Sequence, residues 1–424
     1  MKILLEYLVR SRVEMFFKII YYVLFTITFA YGIYFVITGV IGLIKTRKND
    51  KTKIDKENYF AILIAARNEE STIGNLLDSL NELNYPKDKY RVYVIPNNCT
   101  DQTEKMSLEH KANIINCNVK TKTKADVLRF AFNHLQDKKE IDAYIIFDAD
   151  NVVDKNFLIY MNKSLNSGYR VAEGFRDAKN PYDNWISGSY TIFYLYQNVF
   201  FNHARKNMNL SASINGTGFM IKKELIDTEG FNTKTLTEDV EFTGICALKK
   251  EKIDFVEDAI TYDEYPINFK SSWKQRKRWT AGILNCMKLY SFKLFIDYLK
   301  TGNYSSLDMA LVYLAPIMQI LNFVNMILLI LFKYVGIELN DIFSYYYASG
   351  FICFIISYLI GIITELFVLK YKGKSIKSLI SGIVLFSFFI FTWIPINIIC
   401  LIKKQTNWEE IKHNRNVTIN EIKN

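Results

Sequence analysis

Histidine and cysteine are scarce in this chain of 424 residues, which holds four of the first and six of the second. Cys99, Cys117, Cys246, Cys286, Cys353 and Cys400 make no CxxC pair and no regular spacing, which argues against a disulfide framework or a zinc cluster. Four scattered histidines argue against a histidine-rich metal site. No GxxxxGK[ST] occurs, so a P-loop ATPase has little support. The net charge of +10 comes without a basic arm or a nucleic-acid fold signature, so no nucleic acid is expected as a partner.

What is present is divided against itself. Half the residues are hydrophobic, yet 53 Lys+Arg and 43 Asp+Glu make 23% of the chain charged. So apolar a chain buries enough surface to fold, which excludes disorder. So charged a chain is not a pure bundle of membrane spans. The mean hydropathy of +0.03 averages two unlike parts, and ~150 residues per domain suggests two or three units.

The apolar part is easily found. Between Lys18 and Lys45 no charge occurs from Ile19 to Ile44, ample at 1.5 Å per residue for a bilayer core of ~30 Å. The run is too long for a signal peptide and lacks a small-residue cleavage site, so a retained span is expected. Met309–Phe332, Ile342–Thr364 and Ser378–Ile402 are three more uncharged runs. Arg47, Lys48, Lys51, Lys53 and Lys56 after the first run, and Lys370, Lys372 and Lys374 in a later loop, face the cytosol by the positive-inside rule. The loop around Glu338 and Asp341 is acid-leaning. Both termini are then expected outside, although Lys403 and Lys404 run mildly against this. Pro316 and Pro395 are expected to kink their spans.

Between them, roughly Asn58 to Asn268, strand-length apolar runs alternate with polar helical stretches. Tyr59–Ala65 precedes Glu69–Leu83, Arg91–Ile95 precedes a helix near Glu104, Ala112–Cys117 precedes Lys124–Leu135, and Ala143–Phe147 runs into Asp148-Ala149-Asp150. This predicts a parallel α/β sheet covered on both faces, with ligands beyond the carboxyl ends of its strands.

Asp148 and Asp150, two apart on a strand, are expected to project to one side and suit a divalent ion such as Mg²⁺. Solvated loop acids would look the same. In Thr237-Glu238-Asp239 a carboxylate can act as general base, but Thr235…Glu238 also has capping-box spacing. Gln275, Arg278 and Trp279 share a helix face; the guanidinium suits a diphosphate and the indole a sugar ring. Phe269–Lys300 also reads as an amphipathic interfacial helix. Gly216 and Gly218 allow close backbone approach to a ligand, or only a turn.

Together, Ile64-Ala65-Ala66-Arg67-Asn68-Glu69-Glu70, Asn98-Cys99-Thr100-Asp101, Lys124-Ala125-Asp126, Asp148-Ala149-Asp150, Gly216-Thr217-Gly218, Thr237-Glu238-Asp239 and Gln275…Arg278-Trp279 resemble the membrane-embedded, processive family-2 glycosyltransferases, among them cellulose, hyaluronan, chitin-oligosaccharide and poly-N-acetylglucosamine synthases. The resemblance covers about Asn58–Asn285. It implies a cytosolic α/β catalytic domain of GT-A (Rossmann-like) fold flanked by transmembrane helices: a span and basic collar at 1–57, the catalytic domain at 58–268, amphipathic interface helices at 269–304, three spans at 305–404 and a polar tail at 405–424.

By the same resemblance, Asn68, Glu69, Asp101, Lys124, Asp148, Gln275 and Arg278 bind the nucleotide sugar. Asp150, with Asp148, holds Mg²⁺ or Mn²⁺. Asp239, with Glu238 beside it, supplies the base, and Trp279, Gly216 and Thr217 meet the acceptor. Two positions depart from the family: Asn97 stands where an acid is common, and Ala65 where Pro is common. Asn97 brings no charge, which puts donor-nucleotide preference in question.

The expected activity is inverting transfer from a UDP-sugar, forming a β-linked polysaccharide in the plasma membrane. The short chain with its span layout resembles the chitin-oligosaccharide and poly-N-acetylglucosamine synthases, a likeness that implies UDP-N-acetylglucosamine, with UDP-glucose as the alternative. The partners implied are the UDP-sugar, the growing polysaccharide or a lipid acceptor, the bilayer and accessory export subunits. Transfer of one sugar to a lipid carrier is the alternative within the class. A transporter with a regulatory nucleotide-binding domain is the alternative outside it, disfavoured because the uncharged runs hold almost no ionisable residue but Glu365, just past one of them.

Overall fold

The computed structural model describes residues 2–44, 56–119, 121, 123–337, 339, 350–403 and 417–423. Arg47, Lys48, Lys51, Lys53, Glu338, Asp341, Lys404 and the first residues of the run from Ile342 lie outside them.

Among the described residues eight strands form one sheet: β1 (Phe60–Ala66), β2 (Tyr90–Pro96), β3 (Asn113–Ile114), β4 (Ala143–Asp148), β5 (Val152–Val153), β6 (Val171–Ala178), β7 (Phe219–Lys222) and β8 (Ile253–Asp263). Their order is β3-β2-β1-β4-β7-β6-β8-β5. The half β3-β2-β1-β4 is parallel, as expected. The other half is mixed, because β7 runs antiparallel to both β4 and β6. Ala112–Cys117 yields only the two paired residues of β3.

Why β1 reads as an unbroken apolar run is visible in its two faces. Phe60, Ile62 and Ile64 enter one core, with Ile145 and Phe147 of β4 and Leu76 and Leu80 of the helix Ile73–Asn81. Ala61 and Leu63 enter the other, with Tyr144, Ile146 and Leu128 of the helix Lys124–His134. Alternate side chains feed opposite layers, and neither face meets water. Each fully buried Leu, Ile or Phe contributes about 1.5–3 kcal/mol.

The second core does not stop at the sheet. Val368, Leu369, Leu379, Ile383, Phe386 and Phe389, from the C-terminal helices, pack into the same cluster as Tyr190 and Leu195. Among the described residues three helices are long and apolar enough to cross a membrane: Ser11–Ile41, Tyr304–Val335 and Lys377–Ile402. A further helix, Gly350–Tyr371, carries the later part of the run Ile342–Thr364. Lys374 of the basic loop pairs with Asp177 at 2.7 Å, and Lys372 with Glu257, so that loop lies on the sheet's side of the spans.

Pro316 is accommodated inside Tyr304–Val335. Near Pro395 the helix breaks, giving Ile380–Phe391 and Trp393–Ile402 around Thr392. Proline has no N–H for the carbonyl four residues back and its ring crowds that carbonyl, here Phe391's. Arg276 inserts at the break: its Nη1 donates to the Phe389 carbonyl (3.0 Å) and the Thr392 hydroxyl (2.7 Å). The helix Phe269–Cys286 is thereby fastened to the last span.

Candidate active site

The strand ends meet at one edge. Register aligns Ala65 with Asp148 and Ala66 with Pro96, so β2, β1 and β4 finish together, and a cavity opens beyond them. Glu69, Lys124, Asp148, Asp150, Glu238, Asp239, Gln275, Arg278 and Trp279 all line it, as does Gly216. β4 ends at Asp148, so Asp150 stands on the following turn and not on the strand itself. Both carboxylates reach the cavity all the same, and Ala149 lines it with them.

Lys124 opens a helix whose start is fixed by a reciprocal cap. Asp126 N–H donates to Thr123 Oγ1, and Thr123 N–H to Asp126 Oδ2. From that first turn Lys124 Nζ donates to Asp148 Oδ1 at 2.5 Å and to the Gly216 carbonyl at 2.7 Å. Burial works against its charge, yet Asp148 and Glu238 outweigh it and raise the lysine pKa. Burial likewise works against the Asp148 carboxylate, and Lys124 overcomes it, holding that carboxyl below its ordinary value.

Glu238 and Asp239 open the helix Glu238–Leu248, whose N-cap Thr237 makes no side-chain capping bond. The capping-box spacing therefore does not describe this turn. Burial, then the neighbouring Asp239, pushes Glu238 up to about 7. Burial also raises Asp239, opposed by a backbone N–H and by Lys124, Arg176 and Arg278. Gly216, at φ +91°, makes room for this pair: a Cβ there would stand 3.0 Å from Asp239 Oδ2. Gly282 does the same one layer back, where a Cβ would meet Thr237 Oγ1 at 2.2 Å. The segment before Asp239 thus lies directly on the helix of Gln275 and Arg278. On that helix Gln275 Oε1 and Arg278 Nε are buried with no partner among the described residues. Trp279 meets Tyr190 and Tyr194 edge-on and lies near-parallel to Trp393, 6.4 Å away.

Three of the expected residues are placed elsewhere. Asn68 Oδ1 accepts the Thr100 N–H at 2.8 Å. Asp101 accepts from the Thr103 hydroxyl at 2.6 Å and from the Glu70 N–H at 3.1 Å, bonds that lower its pKa against the opposing effect of burial. These two tie the β1 and β2 loops together behind the cavity wall. Thr217 is sealed; its Oγ1 accepts the Asp148 N–H at 3.0 Å and donates to Asn151 Oδ1.

Sequence reasoning missed Arg176 and Asp263, which line the cavity from β6 and β8. They form a buried ion pair. Asp263 also accepts from Asn151 Nδ2 at 2.9 Å, and Arg176 Nη1 donates to the Asn215 carbonyl at 2.6 Å. Glu173, fully buried on β6, accepts the Asn215 N–H at 3.2 Å; burial raises its pKa well above the ordinary range despite Arg176. One network thus braces the Asp148 turn and the Asn215–Gly216 loop. Its signal was there to be read: Glu173, Arg176 and Asp177 are charges inside an otherwise apolar run.

The profile described as Glycosyltransferase like family 2 matches residues 57–282, more than half of the chain. The chain belongs to that family. The beta-monoglucosyldiacylglycerol synthase of Nostoc sp. is 25% identical over 255 residues, 57% of this chain and 50% of its own length. The poly-beta-1,6-N-acetyl-D-glucosamine synthase of Staphylococcus aureus is 24% identical over 281 residues, 62% of this chain and 66% of its own. The chain thus spans half to two thirds of the length of these relatives. A mannosyltransferase from Pyrobaculum calidifontis, solved with GDP-Man and Mn²⁺, superposes with a TM-score of 0.51 at 18% identity, over 70% of this chain and 86% of that one. The fold of this family-2 glycosyltransferase is accordingly GT-A, flanked by helices able to span a membrane.

Proposed function

We propose that the protein is a multi-pass plasma-membrane glycosyltransferase that moves a sugar from a UDP-sugar to an acceptor hydroxyl on the cytosolic side, building a β-linked polysaccharide. One observation carries the reading: Asp239, seated against Gly216, shares a cavity with Asp148, Asp150, Lys124 and Arg278. Asp239 takes the proton from the acceptor hydroxyl as its oxygen attacks the anomeric carbon. The bond from that carbon to the diphosphate breaks, the centre inverts, and UDP leaves with the electron pair. Lys124 and Arg278 offset the charge growing on the diphosphate. Trp279 offers the acceptor ring a flat surface. UDP-N-acetylglucosamine is the favoured donor, with UDP-glucose second.

The donor set suits a divalent metal. Asp148 and Asp150 present hard carboxylate oxygens to the cavity, and Asp263 beside them is pushed up to about 6 by burial, against Arg176 and with Asp150 and Asp148 adding to the rise. No cluster of three or more His, Cys, Asp or Glu ligands occurs among the described residues. A metal here would therefore be held by one or two carboxylates plus diphosphate oxygens and water, the habit of Mg²⁺. It would supply Lewis-acid neutralisation of the leaving diphosphate.

Transfer of a single sugar to a lipid is a second reading, and the packing beneath Trp279 favours it. There Trp393 Nε1 donates to Thr280 Oγ1 (3.1 Å), Thr280 to Asn397 (3.3 Å), and Ala281, Leu284, Ile396 and Cys400 close the seam. A polymer would leave between the spans, alone or with accessory export subunits. Incubating purified protein with radiolabelled UDP-N-acetylglucosamine or UDP-glucose and Mg²⁺ decides between them: gel-retained product means polymer, solvent-extractable product means lipid. Full activity in Asp239→Asn would sink the base assignment.

A further inference from the structure

The run Lys377–Ile402 is apolar enough to cross a membrane, yet both of its halves stay packed on helices of the catalytic side. The first half, Ile380–Phe391, lies on the helix Trp185–Tyr196. A Cβ on Gly188 would stand 3.2 Å from Gly382 Cα, and one on Gly382 would stand 3.0 Å from Gly188 Cα, so the two backbones touch. Further along, Phe386 meets Tyr196 and Phe389 meets Tyr190, with ring centres 5.5 and 5.1 Å apart. The second half, Trp393–Ile402, lies on Phe269–Cys286. Trp393 Nε1 donates to Thr280, Thr280 donates to Asn397 Oδ1, and Cys400 Sγ donates to the Lys277 carbonyl at 3.5 Å.

The long helix Tyr304–Val335 serves as a ruler of depth. Its near end is held by the catalytic domain, through Asp308 to Arg205 and through the Tyr313 hydroxyl, which donates to the Val240 carbonyl at 2.8 Å. Its far end meets the first helix where Phe332 touches Tyr21. Along this ruler Phe391 meets Phe323, ring centres 6.0 Å apart. Asn397 Nδ2 then donates to Gln319 Oε1 at 2.7 Å, and Cys400 shares an apolar cluster with Ile317. As the chain advances from 391 to 400, its partner retreats from 323 to 317, back toward the catalytic domain. A crossing needs about 20 residues carried steadily away from that domain at 1.5 Å each. Here the break at Thr392 turns the chain around instead.

We infer that Lys377–Ile402 is a re-entrant hairpin that enters and leaves the bilayer on the catalytic side, and that its free face docks into that one leaflet. The free face is Ile380, Val384, Phe388 and Phe391, spaced four, four and three apart, with Leu401 and Ile402 at the end, all exposed. Acyl chains are the occupant that such an apolar ridge on a surface helix fits. Basic residues mark both ends of the hairpin, Lys370, Lys372, Lys374 and Lys377 before it and Lys403 and Lys404 after it. The positive-inside rule puts both groups on one side, whereas a spanning helix would put them on opposite sides. Lys374 with Asp177 and Lys372 with Glu257 fix the first group beside the sheet. Among the described residues the spans that remain are Ser11–Ile41, Tyr304–Val335 and Gly350–Tyr371, and residue 403 then faces the cytosol. Which side that is rests on the cytosolic catalytic domain proposed above; that Lys377 and Lys403 share a side does not.

Labelling of the full chain in intact cells with a maleimide that cannot cross the membrane, mapped peptide by peptide by mass spectrometry, tests this. Lys377→Cys and Lys403→Cys place a thiol at each end of the hairpin, at exposed positions outside the cavity. Native Cys99 and Cys117, both half-buried in the catalytic domain, report the side on which that domain lies. Both introduced thiols are expected to stay unlabelled in intact cells and to react once the cells are permeabilised, together with Cys99 and Cys117. Label at Lys403→Cys on the side opposite Cys99, or on neither side, overturns the hairpin. Label at all four positions in intact cells would overturn the cytosolic placement of the domain instead and leave the hairpin standing. Alkaline phosphatase fused after Asn424, active only outside the cytosol, reads the same topology without a substitution: the fusion is expected to be inactive, and an active fusion with Cys99 protected overturns the hairpin.

Discussion

Arg205 and Asp308 form a two-pronged ion pair, Nε to Oδ2 at 3.0 Å and Nη2 to Oδ1 at 2.8 Å, in a place almost closed to solvent. Arg205 belongs to the short helix Ala204–Asn207 beside the sheet, and Asp308 to the helix Tyr304–Val335. Tyr34 of the first helix donates to the same Asp308 oxygen at 2.5 Å, and the guanidinium lies 3.6 Å from the Phe201 ring centre. The catalytic fold is thus bolted to two spans at one point. Asp308→Asn leaves Arg205 uncompensated and is expected to cost about 3–5 kcal/mol, read as a lower thermal midpoint in detergent. Arg205→Met with Asp308→Asn together should be milder than Asp308→Asn alone; an additive double variant would refute the coupling.

The pair Glu238–Asp239 gives activity and stability opposite responses to pH. Transfer needs the base unprotonated, so kcat/KM should fall as pH drops, at a pH above the ordinary Asp range because burial raises Asp239 beside a Glu238 lifted to about 7. The limb belongs to the coupled pair. Glu238→Gln removes a like charge and should move it to lower pH. Both folded-state values lie above the unfolded ones, so protons favour the folded state: Glu238's stabilising contribution is complete below about 4.5 and lost as pH rises through about 7, and Asp239's is complete below 3.8 and lost as pH rises through its own raised value. A pH–rate profile beside a pH–melting series checks both signs.

Gly216→Ala should lower the thermal midpoint modestly and cost turnover far more. A Cβ at φ +91° is strained and would press on Asp239 Oδ2. Moving the base by a fraction of an ångström is expected to lower kcat on the order of 10²-fold, with UDP affinity nearly unchanged. Loss of UDP binding in equal measure would point to collapse of the loop instead.

Metal removal should stop transfer. A chelator is expected to abolish sugar release, and Mg²⁺ or Mn²⁺ to restore it. Asp150→Asn should raise the metal concentration for half-maximal rate on the order of tenfold, by deleting one of few protein ligands. Undiminished activity in the chelator would remove Asp148 and Asp150 from metal binding altogether.

The left half of the sheet was legible because parallel strands buried on two faces spell long apolar words. Tyr59–Ala65, Arg91–Ile95 and Ala143–Phe147 each meet their observed strand within a residue or two. The Asp148 turn and the Gln275–Trp279 face were legible for a related reason: short motifs leave their spacing in the chain. β6 and β8 were not, since Glu173, Arg176, Asp254 and Asp263 interrupt their hydrophobicity, and those charges are compensated only by partners far away in sequence. Asn68, Asp101 and Thr217 show the converse. Polar residues in motif positions stand next to the cavity while their side chains spend their hydrogen bonds on the loops around it.

Among the described residues Arg276 has no carboxylate partner. Its charge rests on a carbonyl, a hydroxyl and the faces of Phe389 and Trp393, with guanidinium-to-ring distances of 4.3 and 5.2 Å. Arg278, two residues further on, lines the cavity. A tilt imposed on the last helix by a thicker or thinner bilayer would therefore be handed on toward Arg278, and on the function proposed here turnover would vary with the lipid around the enzyme.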